Sequence, residues 1–192
     1  MKTMKKLIRY NSPVVLSFTF ISGIVLLIHY LTGGKSSTLL FSVYKGSMLD
    51  PFFYVRLFGH VLGHIDMEHY ANNMLLFLLV GPMLEEKYGS LNLLYIILIV
   101  AFITGVVHII FFDTMLLGAS GIVFAFILLA SVTGENEGVP LTLIIAAIIY
   151  IGEQIFQGIA MQDNISQFTH IVGGILGAGI GMALRPKKKS YL

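Results

Sequence analysis

Leu117-Gly118-Ala119-Ser120-Gly121-Ile122-Val123-Phe124 sets a serine hydroxyl between glycines, where an apolar loop gives way to an apolar helix. A Gly-x-Ser-Gly turn can expose that hydroxyl at the foot of a helix, where free backbone N–H groups point outward, and this suits a nucleophile. The same composition also serves plain helix packing in membranes. A nucleophilic serine needs a base, and the chain has six histidines. His170 stands in Thr169-His170-Ile171-Val172-Gly173-Gly174-Ile175-Leu176-Gly177. An ionisable residue within an apolar span is a functional candidate by default. Gly173, Gly177 and Gly181 recur every four residues and form a flat face for close helix contact. A serine–histidine hydrogen bond between two helices requires such closeness. The competing reading of His170 is a histidine that stabilises helix packing. His29 and His108 lie inside apolar runs without an accompanying motif and read as packed or interface histidines.

The stretch from Arg56 to Asn73 is dense in polar rings: His60, His64, His69, Tyr70, Asn72 and Asn73. A zinc site is one reading, since His60 and His64 have i, i+4 spacing. However, there is no His-Glu-x-x-His and no evident third ligand, so no metal is expected. A structural hydrogen-bond network is the better reading for His60 and His64. His69 and Asn73 fall on one face of a helix, where neutral donors can stabilise an oxyanion. The absence of cysteine excludes disulfides, thiolate metal sites and a thiol nucleophile.

These residues must be positioned by elements made for a bilayer. Of 192 residues, 56% are hydrophobic and 11% charged, with a mean hydropathy of +0.87. No soluble domain of this size needs so much apolar sequence. A formal charge of +2 is too small to suggest nucleic-acid binding. The basic start resembles a signal peptide, but a small-residue cleavage site is not evident and further spans follow, so the first span reads as retained. Apolar runs predict six membrane helices, over about 14–31, 69–84, 91–112, 120–133, 140–158 and 168–184. The expected organisation is all-α: one polytopic membrane domain over 1–192, with basic tails (about 1–12 and 185–192) and an outer loop (about 35–68). Six spans put both termini, and the turn at Lys87, on one side. That side holds four, one and four of the twelve Lys and Arg, so the termini are expected in the cytoplasm of a multi-pass cell-membrane protein.

Helix length gives Ser120 a depth. About 14 residues span roughly 21 Å, less than a hydrocarbon core of about 30 Å. A fourth helix that reaches the cytoplasmic surface therefore starts several ångströms below the outer one. The preceding loop carries Met115, Leu116 and Leu117, as a segment dipping into the membrane should. The second helix is also expected to be short, at about 16 residues, which would bring His69 and Asn73 to a similar depth.

The ordered set of motifs resembles the rhomboid intramembrane serine proteases. Four matches carry the resemblance: Gly118-Ala119-Ser120-Gly121, His170 with Gly173 and Gly177, the series His60, His64, His69 and Asn73, and Glu85 with Gly89. The similarity runs from about 56 to 184. It implies a six-helix bundle with a partly membrane-embedded outer loop and a short fourth helix. It further implies Ser120 as nucleophile and His170 as general base, with no carboxylate, since Glu68, Asp113, Glu153 and Asp163 match no motif. His69, Asn73 and the Ser120 N–H would form the oxyanion hole. Gly118, Gly121, Gly173 and Gly177 would support the site, and Arg56, His60, His64 and Glu85 would be structural. Two positions depart from the family pattern. Phe124 stands where a tyrosine commonly stacks on the histidine, and Val55 where a tryptophan often precedes the arginine.

The implied activity is cleavage of a single-span membrane protein near its extracytoplasmic boundary, in a site open to water on that side and needing no cofactor. The polar residues cluster at one end of the helices because water must reach them. A rhomboid-like protein that only binds membrane helices is the alternative, although such proteins typically lose the serine or histidine. A small transporter fits less well, because the polar residues trace no route across the bilayer. Glu153 reads as a residue hydrogen-bonded to Gln154 or Gln157 or facing the outer cavity, with a part in substrate entry as the lesser alternative.

Overall fold

The computed structural model describes residues 11–132 and 164–184, together with Leu141, Ile144, Ile145, Ile148, Ile149 and Gly152. Helix α1 (Pro13–Leu31) opens with proline at its first position, where a missing N–H costs nothing. The segment after it is folded rather than open. Within it lie α2 (Lys35–Leu40), α3 (Pro51–Gly59) and a 3-10 turn (His60–Leu62). Helices α4 (Met67–Tyr88), α5 (Ser90–Phe111), α6 (Ser120–Ser131) and α7 (Asn164–Ala183) complete the described elements. No strand occurs among the described residues, only an isolated antiparallel bridge between Val43 and Leu116.

Two described helices, α1 and α5, are long and apolar enough to cross a bilayer; α6 and 168–183 are shorter apolar helices. At 12 residues and about 1.5 Å each, α6 spans roughly 18 Å. The second predicted span needs correction. It is not short: α4 runs 22 residues and includes Glu85-Glu86-Lys87-Tyr88, whose polarity suggested a helix end. Glu85 is buried there, and its two carboxylate oxygens accept the Val14 and Val15 N–H groups, each at 3.0 Å. It thus caps the first turn of α1 from another helix, a task that Ser12 leaves undone. Ser90 donates to the same carboxylate at 2.7 Å. Helix α7 also begins earlier than expected, at Asn164. In the predicted fifth span the described positions are helical, while Glu153 and most of that span lie outside the described residues.

The core lies between α1, α4, α5 and α6. Phe77 stacks on Phe126 with ring centroids 5.1 Å apart, surrounded by Leu84, Leu93, Val100, Ile122 and Leu129. Helix α7 lies along α6 at backbone contact. A Cβ on Gly173 would overlap the Gly121 carbonyl, one on Gly177 the Ala125 carbonyl, and one on Gly181 the Val132 side chain. Small residues every four positions let the two backbones meet where larger side chains would hold them apart.

Candidate active site

Ser120 is the first residue of α6, and no side chain caps that terminus. Its N–H therefore stands at a free helix N-terminus with the positive end of the helix dipole. Across the α6–α7 contact, His170 Nε2 lies 2.7 Å from Ser120 Oγ, and both residues are half-buried. The glycine contacts of α7 with α6 set this distance. The Phe124 ring, one turn into α6, lies 4.8 Å from the His170 ring at a tilt of 44°, so it packs on the imidazole without stacking parallel to it.

The loop before Ser120 is held from several sides. Gly118 has φ +130°, a conformation that favours glycine. A Cβ there would lie 2.8 Å from the His69 ring and 3.8 Å from Ser120 Oγ, so His69 and the serine flank the same glycine. The Gly118 N–H donates to the His60 carbonyl at 2.9 Å, and His108 Nε2 lies 2.9 Å from the Thr114 carbonyl. Val43 and Leu116 exchange N–H···O bonds of 2.8 and 2.9 Å. Lys45 pairs with Asp113 at 2.6 Å, an exposed pair worth little in stability. The expectation that a short second helix brings His69 to the serine is corrected by this geometry. The loop descends to meet the first turn of a full-length α4.

His69 is anchored by Asp66, whose carboxylate caps α4 and accepts the His69 N–H at 2.7 Å. Asn73 follows one turn along the same face and is buried. His69 Nδ1 and Asn73 Nδ2 are buried without a hydrogen-bond partner among the described residues. Buried polar atoms are normally satisfied, so an unpartnered His69 ring atom across Gly118 from Ser120, with Asn73 one turn further along α4, marks a place suited to a polar guest.

His60, His64 and Arg56 engage the folded outer segment. His60 Nδ1 lies 3.2 Å from the Arg56 carbonyl and Nε2 lies 3.4 Å from Thr104 Oγ1. His64 Nδ1 lies 3.2 Å from the Leu62 carbonyl, and its ring meets those of His69 and Tyr70 edge-on. Burial pushes His60 down to about 4 against a weaker opposing pull from the Arg56 carbonyl. Burial also pushes His64 down to about 4, reinforced by His69. Arg56 bonds the Asp50 carboxylate at 2.9 Å and the Leu39 carbonyl at 3.4 Å, and its guanidinium lies 4.5 Å from the Tyr44 ring centre. His29 Nδ1 meets Ser37 Oγ at 2.8 Å, tying α1 to α2.

Sequence reasoning missed Asp50, Asp66, Thr104 and Tyr44. Asp50-Pro51 is a readable signal, since aspartate before proline marks a helix start. Asp66, three residues before His69, carries the same N-cap signal. Thr104 and Tyr44 carry no such signal, because only the tertiary fold supplies their partners.

The geometry joins a hydroxyl to an imidazole at hydrogen-bond distance, close to the His69 ring and at a helix N-terminus without a side-chain cap. Nucleophilic acyl transfer is the chemistry such a group can perform. A family model for the Rhomboid domain matches residues 51–187, which include every residue of this site. The family's members are generally intramembrane serine proteases, and this apolar, all-helical chain belongs to the rhomboid family.

Proposed function

We propose that this protein is an intramembrane serine endopeptidase that works through a Ser120–His170 dyad. The observation that carries the proposal is the 2.7 Å contact between Ser120 Oγ and His170 Nε2 at the N-terminus of α6. His170, with its Nε2 unprotonated, takes the Ser120 proton as Oγ bonds to the substrate carbonyl carbon. The Ser120 N–H, His69 and Asn73 donate to the developing oxyanion. His170 returns the proton to the leaving amine as the C–N bond breaks. A water molecule, deprotonated by His170, then hydrolyses the ester and restores the serine. Phe124 keeps the imidazole in place by packing alone.

The reading includes a single domain over 1–192 with six spans and both termini in the cytoplasm. The site then opens to water on the extracytoplasmic side, and the substrate is a single-span membrane protein cut near that boundary. The lysine and arginine distribution supports the orientation, and the short α6 supports a site below the membrane surface.

Labelling of purified protein by a fluorophosphonate serine probe tests the dyad. Wild type should label, whereas Ser120→Ala and His170→Ala should not. Labelling retained in Ser120→Ala would remove the nucleophile assignment. A folded wild type that neither labels nor cleaves would favour a helix-binding relative instead.

A further inference from the structure

The chain between the end of α5 and Ser120 is bonded through its backbone at alternate residues. The Thr114 carbonyl lies 2.9 Å from His108 Nε2, Leu116 exchanges two bonds with Val43, and the Gly118 N–H donates to the His60 carbonyl. Thr104, one turn before His108 on the same face of α5, meets His60 Nε2 at 3.4 Å. Both ends of the loop are therefore referred to one face of α5, directly at Thr114 and through His60 at Gly118.

His108 is fully buried. A carbonyl can only accept, so in the neutral ring the proton sits on Nε2. Nδ1 is then a bare acceptor, buried without a partner among the described residues. An unsatisfied buried nitrogen costs stability, so packing alone does not explain a histidine here. The bond to Thr114 does. The same ring also reaches toward the other half of the dyad. It stacks on Phe112, with centroids 5.4 Å apart at 28°. Phe112 meets Phe168 edge-on at 5.5 Å, and Phe111 meets it at 5.6 Å. Phe168 stands two residues before His170 on α7.

We infer that His108 is a positioning residue for the dyad: its Nε2–H holds the Thr114 carbonyl so that the loop delivers Ser120, and its ring bears through Phe112 and Phe168 on the helix that carries His170. The inference rests on the Ser120–His170 reading, and its experiment separates the two.

Hydrogen–deuterium exchange of the full chain in detergent reads the loop without requiring activity. Methionine has a similar reach to histidine and no donor, whereas glutamine keeps an amide N–H. In His108→Met the Leu116 and Gly118 amides should exchange about fivefold faster, and in His108→Gln within about twofold of wild type. On a model transmembrane substrate, kcat of the folded His108→Met protein should fall about 10²-fold, the cost of misplacing a nucleophile by about 1 Å. KM should stay within about twofold, and His108→Gln should recover at least about tenfold of the lost kcat. Wild-type exchange in His108→Met, equal behaviour of the two variants, or faster exchange with kcat unchanged would each overturn the proposal. A folded wild type that is inert would instead remove the dyad reading. Exchange that still distinguishes the two variants would tell that failure from a failure of the loop anchor.

Phe168 is partly exposed, so Phe168→Leu probes the ring path even where a change at the buried His108 prevents folding. Its kcat should fall about fivefold with KM unchanged, the scale of one aromatic pair. A wild-type kcat in Phe168→Leu would overturn the path from His108 to His170.

Discussion

Gly118 and the His69 ring are fitted so closely that one methyl group between them would lie 2.8 Å from the imidazole. The same methyl would reach within 3.8 Å of Ser120 Oγ. The φ of +130° adds a second reason for glycine. Gly118→Ala should therefore lower proteolysis at least about 10²-fold by displacing an oxyanion donor. Thermal unfolding should change far less than activity. Cleavage assays on a model transmembrane substrate would reveal it, and near-normal turnover would dissociate His69 from the site.

Asn73→Ala addresses the second buried donor. Asn73 Nδ2 has no partner among the described residues, so its removal breaks no Nδ2 hydrogen bond among them. Turnover should fall roughly 10²-fold with the fold intact. Unchanged turnover would take Asn73 out of the oxyanion hole.

Glu85 joins α4 to α1 through two bonds from backbone N–H groups, and to the start of α5 through one from the Ser90 hydroxyl. Hydrogen bonds to a charged group contribute about 1.5–3 kcal/mol each, less where water replaces the lost partner. Glu85→Ala should destabilise the protein by at least about 1.5–3 kcal/mol in a detergent unfolding titration, with Glu85→Gln in between. The labelling rate of the folded fraction should stay near wild type, because the cap is at the end of the bundle remote from Ser120. Equal stability of all three proteins would contradict the capping role.

His60 and His64 give the fold an acid limit. Both are buried and titrate near 4 in the folded chain, against 6.5 ordinarily. The unfolded chain thus binds more protons between these values, and stability rises with pH there. Their contribution is fully present above about 6.5 and is lost as pH falls toward 4. The unfolding temperature in detergent should drop over that interval, and less steeply in His64→Gln. An unchanged slope in the variant would place the acid sensitivity elsewhere.

Much of the arrangement is legible in the residues, for reasons that differ along the chain. Gly173, Gly177 and Gly181 repeat at a helical period, so their packing face can be read from spacing alone. The brevity of α6 follows from the sequence distance between Ser120 and the polar residues Glu135, Asn136 and Glu137. Glu85 shows the limit. Its charge suggests a helix end, and only the arrival of α1 turns that charge into a buried cap. The outer segment is harder still. Arg56 finds Asp50, Tyr44 and Leu39 across turns of chain, and His60 finds Thr104 on α5, so no local pattern encodes those partners.

The cap on α1 also has a consequence in time. Val14 precedes Glu85 by 71 residues. At about 5–20 residues per second, the ribosome adds that stretch over roughly 4–14 seconds. For that interval the first turn of α1 has left the ribosome without its acceptor. Helix α1 is thus capped only once α4 has been made, and its orientation stays open to correction until then.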